Sequence, residues 1–107
     1  DFQATKEDVE YGIDHMLDAC EPLFIQQTES LSSYQMNFLR ALTDGVTTGF
    51  TRSEILNNYQ LGTAANISRL KKALTEKDLI TLTAPKKLEI SDPILALWLK
   101  RRVWRTR

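Results

Sequence analysis

A lone cysteine and a lone histidine set the first limits on this 107-residue chain. Cys20 has no partner for an internal disulfide, and such sparing use of cysteine fits a reducing compartment, so a cytoplasmic location is expected. A closed zinc site takes four cysteine or histidine ligands and is not expected from one of each. His15 and Cys20 stand about 140 degrees apart around a helix, so they do not face each other as base and nucleophile would. No apolar run of about 18 residues occurs, and no charged, apolar and small-residue leader, so neither a membrane span nor a signal peptide is expected. The G-x-x-x-x-G-K-[ST], G-x-S-x-G and H-E-x-x-H spacings are missing. The expectation is a chain that is not an enzyme, with no catalytic residue, no metal and no cofactor of its own.

What is present is 42% apolar residues and a formal charge of zero, enough for one small domain with one core. The zero conceals a division. Residues 1–63 hold 3 basic and 10 acidic side chains, a net of −7, and residues 64–107 hold 11 basic and 4 acidic, a net of +7. That asymmetry points either to a nucleic-acid face on the second half or to electrostatic docking of one half on another surface. The chain opens at Asp1, within helical sequence and without an initiator methionine, so a piece cut from a longer protein is expected.

Val9, Ile13, Met16, Leu17 and Cys20 fall on one side of an amphipathic helix over residues 4–21, with Glu7, Glu10, Asp14 and Asp18 on a stripe about 120 degrees away that reads as a solvated face. Pro22 is expected to interrupt or restart this helix, leaving Leu23, Phe24 and Ile25 in need of cover. Ser32 to Gln35 spells a capping box that opens a second helix. Phe38, Leu39 and Leu42 form its apolar side, and Gly45 is its left-handed stop. Thr51 to Glu54 repeats the capping pattern before a short helix with Ile55, Leu56 and Tyr59 inward, and Phe50 just before it reads as briefly extended. The turn Gln60 to Thr63 then leads into a helix within Leu61 to Ile80, whose Ile67, Leu70 and Leu74 share one stripe and whose N-cap is Thr63. Two short helices joined by a short glycine-containing turn make a helix-turn-helix unit.

Leu79 to Thr83 and Leu88 to Ser91 read as a hairpin with the basic tip Ala84, Pro85, Lys86 and Lys87. Asp92 and Pro93 start a last helix, apolar nearly all round from Ile94 to Leu99 and basic from Lys100 to Arg107 around Trp104. The fold expected is therefore mainly α with a small β-hairpin: a winged helix-turn-helix preceded by one or two N-terminal helices. Residues 1–31 form the helical extension, and residues 32–107 the winged-helix domain with its C-terminal helix.

The strings SLSSYQMNFLRAL, TRSEILNNYQLGTAANISRLKKALTEKDLI and LEISDPILALWLK, covering about residues 30–103, resemble the C-terminal winged-helix domain of bacterial and archaeal P-loop ATPases of the archaeal ATPase family, which are AAA-like. The resemblance implies an accessory module whose parent binds ATP and magnesium in an upstream domain, and whose partner is DNA or the ATPase core of the same chain.

For DNA, the residues that would make contact are Ala65, Ser68, Arg69 and Lys72 on the outward side of the third helix of the winged unit, with Lys86 and Lys87 at the wing tip. Arginine can pair with guanine edges, lysine can neutralise phosphate, and small residues permit close approach to a groove. Glu76 on the same face opposes phosphate. The competing expectation is an interdomain regulatory module that docks through Leu97 and Trp104 without binding DNA.

Overall fold

The computed structural model describes residues 6–84 and 87–104. Lys86 of the expected wing tip, and Arg105 and Arg107 of the basic tail, lie outside the described residues. Within them the chain forms five α-helices and one antiparallel hairpin. They are α1 (Lys6–Glu29), α2 (Ser33–Thr43), α3 (Ser53–Tyr59), α4 (Ala64–Glu76), β1 (Ile80–Ala84), β2 (Lys87–Ile90) and α5 (Pro93–Trp98), which runs into a π-helical turn, Leu99–Val103. This is the expected winged helix-turn-helix order behind an N-terminal helix. The hairpin is set one residue later than expected at the start of β1, with Ile80 opposite Ile90, Thr81 opposite Glu89 and Leu82 opposite Leu88.

The stripe on α4 faces inward as its spacing requires: Ile67 is 2% exposed, Leu70 5% and Leu74 fully buried. Each such side chain contributes about 1.5–3 kcal/mol by leaving water. They meet Phe38 and Leu39 of α2 and Phe50 of the loop in one core, where the Phe38 and Phe50 rings stack at 4.6 Å. Phe50 sits in a turn rather than in extended backbone.

The helices that build this core end alike. After α2, Gly45 takes φ +99, Val46 N–H donates to Ala41 O at 3.0 Å and Gly45 N–H to Leu42 O at 3.1 Å. After α4, Asp78 takes φ +60, Leu79 N–H reaches Leu74 O and Asp78 N–H reaches Thr75 O, both at 3.0 Å. These are Schellman endings, in which a left-handed residue lets its own N–H and the next one satisfy carbonyls the helix leaves open. At α3 the left-handed residue is Gln60, φ +54, and Leu61 N–H donates to Leu56 O at 3.0 Å. In two of the three cases the residue just past the turn is a buried leucine, Leu61 or Leu79.

Two expectations about helix starts and breaks are corrected. α1 runs through Pro22 without interruption. An internal proline costs a helix about 3 kcal/mol, but Leu17 and Phe24, on either side of it, are both buried in the same core and hold the two halves in line. The capping box at Ser32 forms in full, with Gln35 N–H on Ser32 Oγ and Ser32 N–H on Gln35 Oε1. The one expected at Thr51 does not form: Arg52 N–H donates to Gly49 O at 3.1 Å, and that turn carries Thr51 outside the helix and leaves Arg52 at the cap without a side-chain bond. Thr63 occupies the N-cap of α4, but its hydroxyl makes no cap bond. The turn is pinned instead by Asn66 Nδ2, which donates to Leu61 O at 2.9 Å.

Because a side chain at positive φ costs about 1 kcal/mol that glycine avoids, Gln60→Gly is expected to raise the unfolding free energy by about 0.5–1 kcal/mol in urea denaturation followed by circular dichroism. Leu74→Ala, which empties a fully buried site, is expected to lower it by about 2–5 kcal/mol.

Candidate nucleic-acid interface

The helix-turn-helix presents one side of α4 to solvent. Ala65, Ser68, Arg69 and Lys72 are all exposed on it, because the opposite stripe is committed to the core. Among the described residues Arg69 and Lys72 make no ion pair, so their charge is available to an outside anion. Lys71, between them in sequence, is turned inward, with Nζ 5.6 Å over the Phe50 ring. Glu76 is exposed at the C-terminal end of the helix, which leaves the middle of the helix, Arg69 to Lys72, as its basic part.

A shallow groove of about 300 Å³ borders that part, lined by Tyr34, Gly62, Thr63, Ala65, Asn66 and Arg69. Gly62 sits at φ +88, and a Cβ there would come within 3.2 Å of Asn66 Nδ2, so glycine keeps the turn close to the helix it precedes. Tyr34, half exposed on α2, is a member of this surface that sequence reasoning missed. Its position within the capping box gives it no periodic signal linking it to a helix thirty residues on.

In the wing, Lys87 is exposed, but its Nζ lies 3.5 Å from Glu89 Oε1 two residues along the same strand, which offsets part of its charge. Leu97 and Trp104, the other expected contacts, are half-buried against the core. The Trp104 ring lies under the Arg40 guanidinium of α2 at 5.8 Å.

The acidic stripe of α1 keeps Glu7, Asp14 and Asp18 exposed, as a solvated face would, but several of its carboxylates are also paired. Arg101 Nη1 donates to Glu10 Oε2 at 2.6 Å. Arg102 Nη1 donates to Asp18 Oδ1 at 2.9 Å and lies 3.7 Å from Glu21, while its Nη2 lies 3.8 Å from Asp14. The partner comes from the far end of the chain, brought over α1 when α5 packs there through Trp98, whose Nε1 donates to Glu21 Oε1 at 3.1 Å and whose ring meets Phe24 at 5.6 Å. The hydrogen bond from Arg101, and then its charge, hold the Glu10 carboxyl below the usual range; both guanidiniums are correspondingly raised. Two cations of the basic half are thus turned onto the acidic half of the same chain.

A second polar cleft of about 450 Å³ lies between α2 and α3, lined by Asn37, Arg40, Asp44, Asn58, Tyr59 and Gln60. Tyr59 Oη donates to Asp44 Oδ2 at 2.9 Å. Burial first, and then Asp44, push the phenol upward. Among the described residues, no group of three or more His, Cys, Asp or Glu is placed to hold a metal ion, and no helix is long and apolar enough to cross a membrane.

Comparison with known proteins adds one finding. A family model described as a probable winged helix domain matches residues 22–101. No curated protein and no solved structure matches the chain.

The ion pairs between α1 and the π-helical turn carry a pH signature. Since Glu10 is held below its ordinary value, its contribution is present above about pH 4.3 and is lost as pH falls through the lowered value. Thermal melts across this range are expected to show a decline in melting temperature that Glu10→Gln flattens. At neutral pH, Arg102→Ala is expected to lower the melting temperature by a few degrees in low salt and by less in high salt, where partly exposed pairs are screened.

Proposed function

We propose, on the premise that this chain belongs to the winged helix family whose model matches residues 22–101, that it is a non-catalytic DNA-binding accessory domain of a larger P-loop ATPase. The observation that carries the DNA reading is the outward side of α4: Ala65 and Ser68 leave room, and Arg69 and Lys72 bring charge that is in no ion pair among the described residues. Lys87 of the wing, and Lys86, which lies outside the described residues, would add phosphate contacts. Such contacts position a protein on duplex DNA through its backbone, while an arginine on the helix supplies base readout. With few cations available, binding is chiefly electrostatic and salt-dependent.

The ATPase parentage rests on the wording of residues 30–103, which resembles the C-terminal domains of the archaeal ATPase family. On that reading ATP and magnesium belong to an upstream domain of the parent, which is also this domain's nearest protein partner. The sequence here has no phosphate-cradling loop, so the contribution of this segment is binding, in a cytoplasmic protein. A second reading, a regulatory module that docks on the ATPase core through Leu97 and Trp104 without DNA, is favoured by the pairing of Lys87 with Glu89, which weakens the wing as a phosphate contact.

Titration of labelled duplex DNA at two ionic strengths tests the first reading. Arg69→Ala with Lys72→Ala is expected to weaken binding about tenfold or more and to reduce the salt slope by about 2. Arg101→Ala with Arg102→Ala, whose side chains face α1, is expected to leave DNA affinity within about twofold. Absence of salt-sensitive binding at micromolar protein would refute the DNA reading and leave the docking module.

A further inference from the structure

We propose, resting on the DNA reading above, that the groove between the start of α2 and the turn before α4 seats one phosphate of the duplex backbone, with Tyr34 as a DNA contact supplied from outside the helix-turn-helix. The groove holds about 300 Å³, and three of its side chains keep donors that the fold does not use. The Tyr34 hydroxyl has no hydrogen-bond partner among the described residues, although Ser32 and Gln35 on either side of it are closed onto each other in the capping box. The Thr63 hydroxyl stands at the N-cap of α4 without a cap bond. The Arg69 guanidinium is in no ion pair among the described residues. Asn66, by contrast, has its amide committed to Leu61 O at 2.9 Å. No carboxylate lines the groove.

The chemistry of these open groups selects the occupant. Two hydroxyls can turn their hydrogens toward a ligand, and a guanidinium brings fixed donors and a positive charge. A backbone phosphate is anionic and presents acceptor oxygens, so it satisfies all three at once, and no acidic side chain in the groove repels it. The place of Tyr34 agrees with a backbone contact rather than a base contact. Its ring edge lies 3.5 Å from where a Gly62 side chain would begin, so it stands against the turn, beside the start of α4 and off the outward row Ala65, Ser68, Arg69 and Lys72. A group there meets the strand that borders a groove occupied by α4, while the outward row meets the groove itself. Arg69 belongs to both surfaces, and with five N–H donors it can hold this phosphate and still present N–H groups to a base edge. Tyr34 is neutral, so it fixes the register of the helix on the duplex without adding to the salt-dependent part of binding.

Tyr34→Phe removes only the hydroxyl, and because that group has no partner in the fold the melting temperature is expected to be retained. Titrated against several duplexes of unrelated sequence, the variant is expected to lose about five- to tenfold in affinity on every one, with the salt slope unchanged. Arg69→Ala is expected to lower the slope by about 1, and the double variant to lose less than the product of the two single losses, since both side chains hold one phosphate. Full affinity in Tyr34→Phe overturns the proposal, as does a loss confined to particular sequences, which would mean a base contact. Losses that simply multiply overturn the shared seat. Inorganic phosphate, titrated in parallel and followed by the amide resonances of Gly62 and Thr63, separates the two sources of this anion: saturation by phosphate alone, with duplex affinity indifferent to Tyr34→Phe, would assign the groove to a free anion instead. Binding that is weakened by Arg69→Ala with Lys72→Ala but not by Tyr34→Phe refutes this contact and keeps the DNA reading, whereas absence of duplex binding refutes both.

Discussion

Leu61 and Leu79 lie just beyond the ends of α3 and α4, outside any helix or strand, and both are buried. Each follows a residue in the left-handed region, Gln60 or Asp78, and each returns its N–H to the last turn of the helix it leaves. The chain therefore turns sharply while filling the core with the side chain at the turn. The helix-turn-helix angle and the entry into β1 both depend on this coupling of backbone reversal to leucine burial. With those turns set, α4 has one possible inward face, and the small and basic residues opposite it are displayed with no ion pair among the described residues.

Electrostatics shape the molecule at a second level. The split between an acidic first half and a basic second half is partly spent inside the chain, because α5 and the turn after it carry Arg101 and Arg102 onto Glu10, Asp14, Asp18 and Glu21. These pairs are partly exposed, and pairs of that kind add little to stability individually. Their larger effect is on specificity: they fix which side of α1 meets α5, and they remove two arginines from the surface that an outside anion could reach. Arg69 and Lys72, for which no carboxylate of the described residues competes, are left as the basic pair on α4.

Much of the architecture was legible because it follows from local chemistry. The three-and-four spacing of Ile67, Leu70 and Leu74 fixes the buried side of α4 wherever that helix is placed, and so fixes Ala65, Ser68, Arg69 and Lys72 on the other. The Ser32 box and the Asp92–Pro93 start were readable for the same reason, since the bonding groups lie within a few residues of each other. Pro22 misled because a local rule about lost hydrogen bonds was outweighed by burial on both sides of it. Thr51 misled because the turn at Gly49 shifts the helix start by one residue. Tyr34 could not be assigned to the α4 groove, since only the folded chain brings the start of α2 beside the turn before α4.

The sequence by itself determined the order of the helices in the winged unit, the hairpin, and which residues of α4 point outward, because periodicity, caps and turn residues act over distances shorter than one element. Only the tertiary structure decided which charges remain available. Arg101 and Arg102 are separated from their carboxylates by some eighty to ninety residues of chain, and Coulomb interactions depend on distance in space, which no count along the sequence supplies.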